Sequence, residues 1–173
     1  MKIKLTSLIA TAGLALFAIQ AQANSLVEGS AEAGKAKALT CTACHGPEGN
    51  STSAMWPNIA GQNAPYLLQQ LKAFKDGSRQ DPLMSSQAMM LSEQDMADLA
   101  VYFESLPGAA QSVKDPGSVD RGEALFRGGN TANGTAACLA CHGPSGRGNP
   151  AARYPALQGQ HADYTTKQLI DFA

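Results

Sequence analysis

All four cysteines of this chain fall in two matching pentapeptides, Cys41-Thr42-Ala43-Cys44-His45 and Cys138-Leu139-Ala140-Cys141-His142. Two thiols spaced by two residues, with an imidazole directly after, can form thioethers to the two vinyl groups of one haem and give its iron a proximal ligand. The short spacing matters because both sulfurs and the ring must reach one macrocycle from one turn of chain. Other chemistries fit less well. A disulfide needs no histidine in either copy. Zinc wants two cysteine pairs about 15–20 residues apart, whereas Cys44 and Cys138 are 94 apart. A thioredoxin-like redox pair expects a βαβ setting that the pattern lacks. The chemistry implied is covalent attachment of two haem c groups, one through Cys41 and Cys44 and one through Cys138 and Cys141, with His45 and His142 on the irons.

The motifs head a longer repeat. His45-Gly46-Pro47 and Gly49 return as His142-Gly143-Pro144 and Gly146, and Trp56-Pro57, Ile59 and Gly61-Gln62 return as Tyr154-Pro155, Leu157 and Gly159-Gln160. Tyr66, Gln70, Leu71 and Phe74 return as Tyr164, Gln168, Leu169 and Phe172. A repeat of this length is a domain rather than a solenoid unit. The turn-rich stretch between the copies reads as a linker. It divides the chain into a first domain at 24–107, a linker at 108–114 and a second domain at 115–173.

The elements that must position these groups read as helices. Ala31 to Thr40 leads straight into the first motif. Asn63 is placed to cap a helix with Pro65 in its first turn, running to Gly77. Ser92 and Asp95 suit a capping box, opening a helix with Met96, Leu99, Ala100, Phe103 and Leu106 on one face. The second copy starts a helix near Pro116 behind Asp115, and another around His161. No strand pattern is comparable. The expected fold class is all-α, with two tandem domains each wrapped around a covalent haem. The acidic run Glu93, Asp95 and Asp98 reads as a solvated helix face. Arg121, Arg127, Arg147 and Arg153 are candidates for haem propionates or a redox partner, and the Tyr66 and Tyr164 hydroxyls for a propionate or a backbone group.

Residues 1–23 read as a secretory signal: Lys2 and Lys4, an uncharged apolar run from Leu5 to Ile19, then Ala21-Gln22-Ala23. The run is short for a bilayer span, which needs about 20 residues. A soluble protein outside the cytoplasm is expected. At 173 residues with a net charge of −1, the chain lacks the basic footprint that nucleic acid requires. Its 44% hydrophobic content excludes wholesale disorder. Aromatic residues are only 6% of the chain, and domains of about 75 residues have marginal cores. Haem, a large flat apolar body, answers that shortage.

Together these motifs resemble the cytochrome c4 family. The resemblance rests on the duplicated attachment motif with Gly-Pro behind it, on Trp56-Pro57 and Tyr154-Pro155 with the Gly-Gln pairs that follow, and on Phe126-Arg127-Gly128-Gly129. It spans nearly all of the chain after residue 23. It implies two cytochrome-c-like domains and a periplasmic carrier of single electrons, not an enzyme. The implied donor is a quinol-oxidising complex and the implied acceptor a haem–copper terminal oxidase, with peripheral membrane association. In the family the sixth iron ligand sits seven residues before the Leu-Ser that opens the last helix, here Leu91-Ser92. That spacing selects Met84 over Met89 and Met90, all three placed in the loop between the second and third helices. Met96 and Met55 read as packing. Pro57 and Pro155 resemble the family's proline whose carbonyl accepts the histidine Nδ1–H; a plain rigid turn is the other reading.

The second copy departs from the pattern. The counterpart of Met84 falls at position 182, beyond Ala173, and no methionine follows Met96. The expectation is a second domain truncated before its last helix and axial methionine. The alternative is an open iron or another ligand, with His161 as the spare imidazole. Its position matches Asn63, so a helix start or an interdomain contact is the plainer role. An open iron would suit a dihaem peroxidase, although such enzymes are much longer. A subunit held permanently by an oxidase or dehydrogenase is the other rival.

Overall fold

The computed structural model describes residues 26–172, and the export signal read at 1–23 lies outside them. The first domain contains α1 (Ala31–Lys37), α2 (Leu39–His45), α3 (Ala64–Asp76), α4 (Pro82–Met89) and α5 (Glu93–Ser105). The second contains a 3-10 turn (Pro116–Ser118), α6 (Val119–Gly128), α7 (Leu139–His142) and α8 (Ala162–Asp171). Among the described residues the only β pairing is two isolated bridges, Asn130 with Thr135 and Asn149 with Tyr154. No described helix is long and apolar enough to cross a membrane.

α5 organises the first domain. The Ser92 hydroxyl accepts from the Asp95 N–H while the Asp95 carboxylate accepts from the Ser92 N–H at 2.9 Å, closing a capping box. The helix then buries Met96, Leu99, Ala100 and Phe103, and each large side chain stabilises the core by about 1.5–3 kcal/mol. α1 crosses α5 at Gly34, where a Cβ would come within 2.1 Å of the Asp98 carbonyl oxygen. Only glycine permits that approach. Val27, Ala38, Ala64 and Leu67 complete the core.

Three expectations need correction. Asp98 is not on a solvated face: its side chain is 5% exposed, and it accepts from Lys37 Nζ at 2.7 Å, from the Ser30 N–H at 2.9 Å and from Gln94. Lys37, then Ser30 and Gln94, hold its carboxyl below the usual range. Met84 and Met89 lie not in a loop but on α4, because Asp81 accepts from the Leu83 and Met84 N–H groups and Pro82 suits the first turn. Asn63 precedes α3 but gives it no side-chain cap. Glu104 of α5 takes that role, accepting from the Ala64 N–H at 2.7 Å.

The second domain repeats α1 and α3 as α6 and α8, and none of its helices carries a buried residue. Val119, Leu169, Ile170 and Phe172 are exposed.

Candidate haem-attachment sites

In the first domain Ser30 caps α1, accepting from the Ala33 N–H. The chain breaks step at Ala38 and continues as α2, so one short helix carries Cys41, Cys44 and His45. Gly46 ends α2 at φ 82°, a left-handed conformation that glycine adopts at no steric cost. The Gly49 carbonyl then accepts from the N–H groups of Ile59 and Ala60, folding the loop back on the helix. That fold brings the Pro57 carbonyl to the histidine: His45 Nδ1–H donates to it at 2.8 Å.

The second domain repeats each step. Gly143 ends α7 at φ 75°. The Gly146 carbonyl accepts from the N–H groups of Leu157 and Gln158, and His142 Nδ1–H donates to the Pro155 carbonyl, again at 2.8 Å. One extra residue in the second loop is absorbed without changing that bond. Tyr154, the counterpart of Trp56, sets its ring edge-on to His142 at 5.8 Å between centroids.

These contacts fit a haem with covalent and axial attachment. A bond at Nδ1 fixes the tautomer and leaves Nε2 with its lone pair for a metal. Neither Nε2 has a hydrogen-bond partner among the described residues. Burial holds the His45 ring below its ordinary pKa, which keeps it neutral and ligand-competent. All four cysteines are free of disulfides. Met84 is half-buried on the first turn of α4, whereas Met89 and Met90 are 62% and 76% exposed. Met96 is buried in the core and Met55 is exposed.

The residues following each Gly-Gln pair meet at the domain boundary. Gln62 donates from Nε2 to the Ala156 carbonyl at 2.9 Å and accepts from the Ala156 N–H at 2.8 Å. Its counterpart Gln160 does the same to Asn58, at 2.8 and 2.9 Å. Asn58 and Ala156 are themselves counterparts, so the clasp is reciprocal. Asn63 Nδ2 donates to the carbonyls of Tyr154 and Arg147, and His161 Nε2–H donates to the Ser51 carbonyl at 3.0 Å. His161 is therefore an interdomain contact rather than a spare imidazole. Sequence reasoning treated Asn63 as a local cap and passed over the glutamines; their recurrence in register was the signal.

The family model for cytochrome c matches residues 31–107 and 119–172. Cytochrome c4 of Pseudomonas aeruginosa is 48% identical over 168 residues, covering 97% of this chain and 80% of that protein. Cytochrome c4 of Azotobacter vinelandii is 46% identical over 153 residues, covering 83% of this chain and 72% of that protein. Among solved structures, reduced recombinant cytochrome c4 from Pseudomonas stutzeri superposes with a TM-score of 0.80 at 46% identity, covering 83% of this chain and 80% of that one. Duplicated attachment loops, two helical domains and these relatives agree: the chain belongs to the cytochrome c4 family, as a c-type electron carrier with two covalently bound haems.

Proposed function

We propose that this cytochrome carries single electrons in the periplasm, taking them from a quinol-oxidising complex and delivering them to a haem–copper terminal oxidase. The observation that supports this most is the matched pair of sites. Each histidine is fixed by a proline carbonyl with Nε2 unspent, and the halves are clasped together. Cys41 with Cys44, and Cys138 with Cys141, would each hold one haem through its vinyl groups, and His45 and His142 would be ligands of the irons. Met84 would give the first iron its further ligand; its half-buried place favours it over the outward Met89 and Met90. Pro57 and Pro155 keep the rings from turning and strengthen them as donors. Bound haem supplies a one-electron couple, and the protein supplies ligands, a low-dielectric seat and a fixed spacing. Electron carriage asks for no acid or base. Export rests on the signal pattern of residues 1–23, and contact with membrane-bound partners brings the protein to the membrane periphery.

The test uses the haem-loaded protein with membranes containing both complexes. Reduction by the quinol-oxidising complex and reoxidation by the oxidase, each at rates that support respiration, is the expected result. Steady turnover of peroxide without either complex would instead favour an enzyme. For the sites, Cys41→Ala together with Cys44→Ala should lower the intact mass by one haem. Met84→Ala should leave both haems attached and convert the first to a high-spin spectrum.

A further inference from the structure

Asn50 stands five residues after His45, in the loop that returns to Pro57. It spends its half-buried side chain on the segment that leaves the first domain. Its Nδ2 donates to the Pro107 carbonyl at 3.0 Å, and its Oδ1 accepts from the Ala109 N–H at 2.8 Å. An amide bonded to the carbonyl before Gly108 and to the N–H after it fixes the direction in which the chain departs.

The gripped segment then runs between the halves. On one side a Cβ at Gly61 would lie 3.1 Å from the Gly108 nitrogen, and one at Gly108 would lie 3.2 Å from the Ala60 carbonyl oxygen. On the other side a Cβ at Gly159 would come within 2.4 Å of the Ala109 carbonyl oxygen. Gly61 and Gly159 are counterparts in the repeat, so matched glycines from both domains close on residues 108 and 109. The void left there is about 10 Å³, barely room for one water. Residues 108–109 are thus seated as a spacer, and an exposed run follows at 110–114.

The grip belongs to one half. The counterpart of Asn50 is Arg147, whose Nε donates to Gln158 of its own domain at 3.3 Å. Ser51 adds a second tie on the same loop. Its hydroxyl donates to the Cys44 carbonyl at 3.1 Å, and its own carbonyl accepts from His161. The loop that closes the first attachment site therefore meets both the spacer and the opposite domain.

We infer that Asn50 is a positioning residue for electron passage between the two halves. By gripping the chain around Gly108 it fixes the spacer that sets how closely, and in what orientation, the second domain sits on the first. The inference rests on the two-haem reading. Transfer between two redox centres falls steeply with their separation, so a loosened spacer is read as slower exchange.

The experiment compares haem-loaded wild type, Asn50→Ala, Ala109→Pro and the double variant. Ala109→Pro removes, from the linker side, the N–H that Asn50 accepts. Electron exchange between the haems is followed in half-reduced samples after a pulse of reductant, and cleavage within 110–114 by limited proteolysis. Asn50→Ala should slow exchange about 10-fold and speed cleavage about 10-fold, with the absorption spectrum of each haem as in wild type. The double variant should be no worse than Asn50→Ala, because the two changes remove a shared contact. The inference is overturned if either rate in Asn50→Ala matches wild type, or if the two substitutions add. A changed spectrum of the first haem would also overturn it, since Asn50 would then act through the attachment loop and not through the spacer. Intact mass showing two haems in every variant separates failure of this inference from failure of the two-haem reading.

Discussion

The two halves share an attachment site and differ in their cores. The histidine–proline bond is 2.8 Å in both, yet every buried apolar side chain among the described residues belongs to the first. The site is local: a short helix, a left-handed glycine and a loop that returns to a glycine carbonyl suffice to build it. The core is not local. It requires α5, against which α1 and α3 lay their apolar faces, and among the described residues nothing packs on α6 and α8 in that way.

The glycines at the helix crossing give the largest contrast. Gly34 and Gly122 each lie four residues after the serine that precedes α1 and α6, Ser30 and Ser118, but a Cβ at Gly122 meets nothing within 4 Å. Gly34→Ala should destabilise the first domain by about 3 kcal/mol, whereas Gly122→Ala should stabilise α6 by about 0.5–1 kcal/mol through helix propensity. Hydrogen exchange resolved by domain reads both, and equal effects would erase the distinction drawn here.

Asp98 gives an intermediate effect confined to the first domain. Because Lys37, the Ser30 N–H and Gln94 depress its pKa, its stabilisation is present above the unfolded carboxylate value of about 4 and lost as pH falls through the folded one. Asp98→Asn should lower the first domain's Tm by about 8 °C at neutral pH. It should also flatten the acid limb of that domain's stability curve and leave the second domain unchanged.

The smallest effect should be shared. Gln62→Ala and Gln160→Ala each remove one arm of the clasp, and each should weaken docking of the halves by about 1–2 kcal/mol. Proteolysis within 108–114 measures this. A large inequality between the two variants would show that the reciprocity is geometric only.

Much of this was legible before the fold. The capping box at Ser92 and the apolar face from Met96 to Phe103 follow from helical spacing, and both appear. The 12-residue interval from His45 to Pro57 needed only a tight loop to become a contact. What escaped depends on long-range placement. Asp98 looked solvated until Lys37 arrived from α1. Asn63 has the composition of a helix cap, but the opposite domain supplies carbonyls that compete for its side chain, whereas the interdomain contact of His161 was one of the two roles its repeat position offered. Asn50 has no special sequence context, because the chain it grips lies 57 and 59 residues further on.

The clasp has a consequence for how duplicated genes drift. Gln62 and Gln160 read main-chain N–H and C=O groups, which every residue but proline offers. The positions they grip, Asn58 and Ala156, already differ in side chain without disturbing the bonds. The Ala156 position can therefore accept other residues without a compensating change in the first half, whereas Asn58 also spends its side chain across the boundary, Nδ2 donating to the Gly159 carbonyl at 2.8 Å. The joint behaves like a single rung of a β-ladder made by amides, and it lets the two copies diverge while staying married.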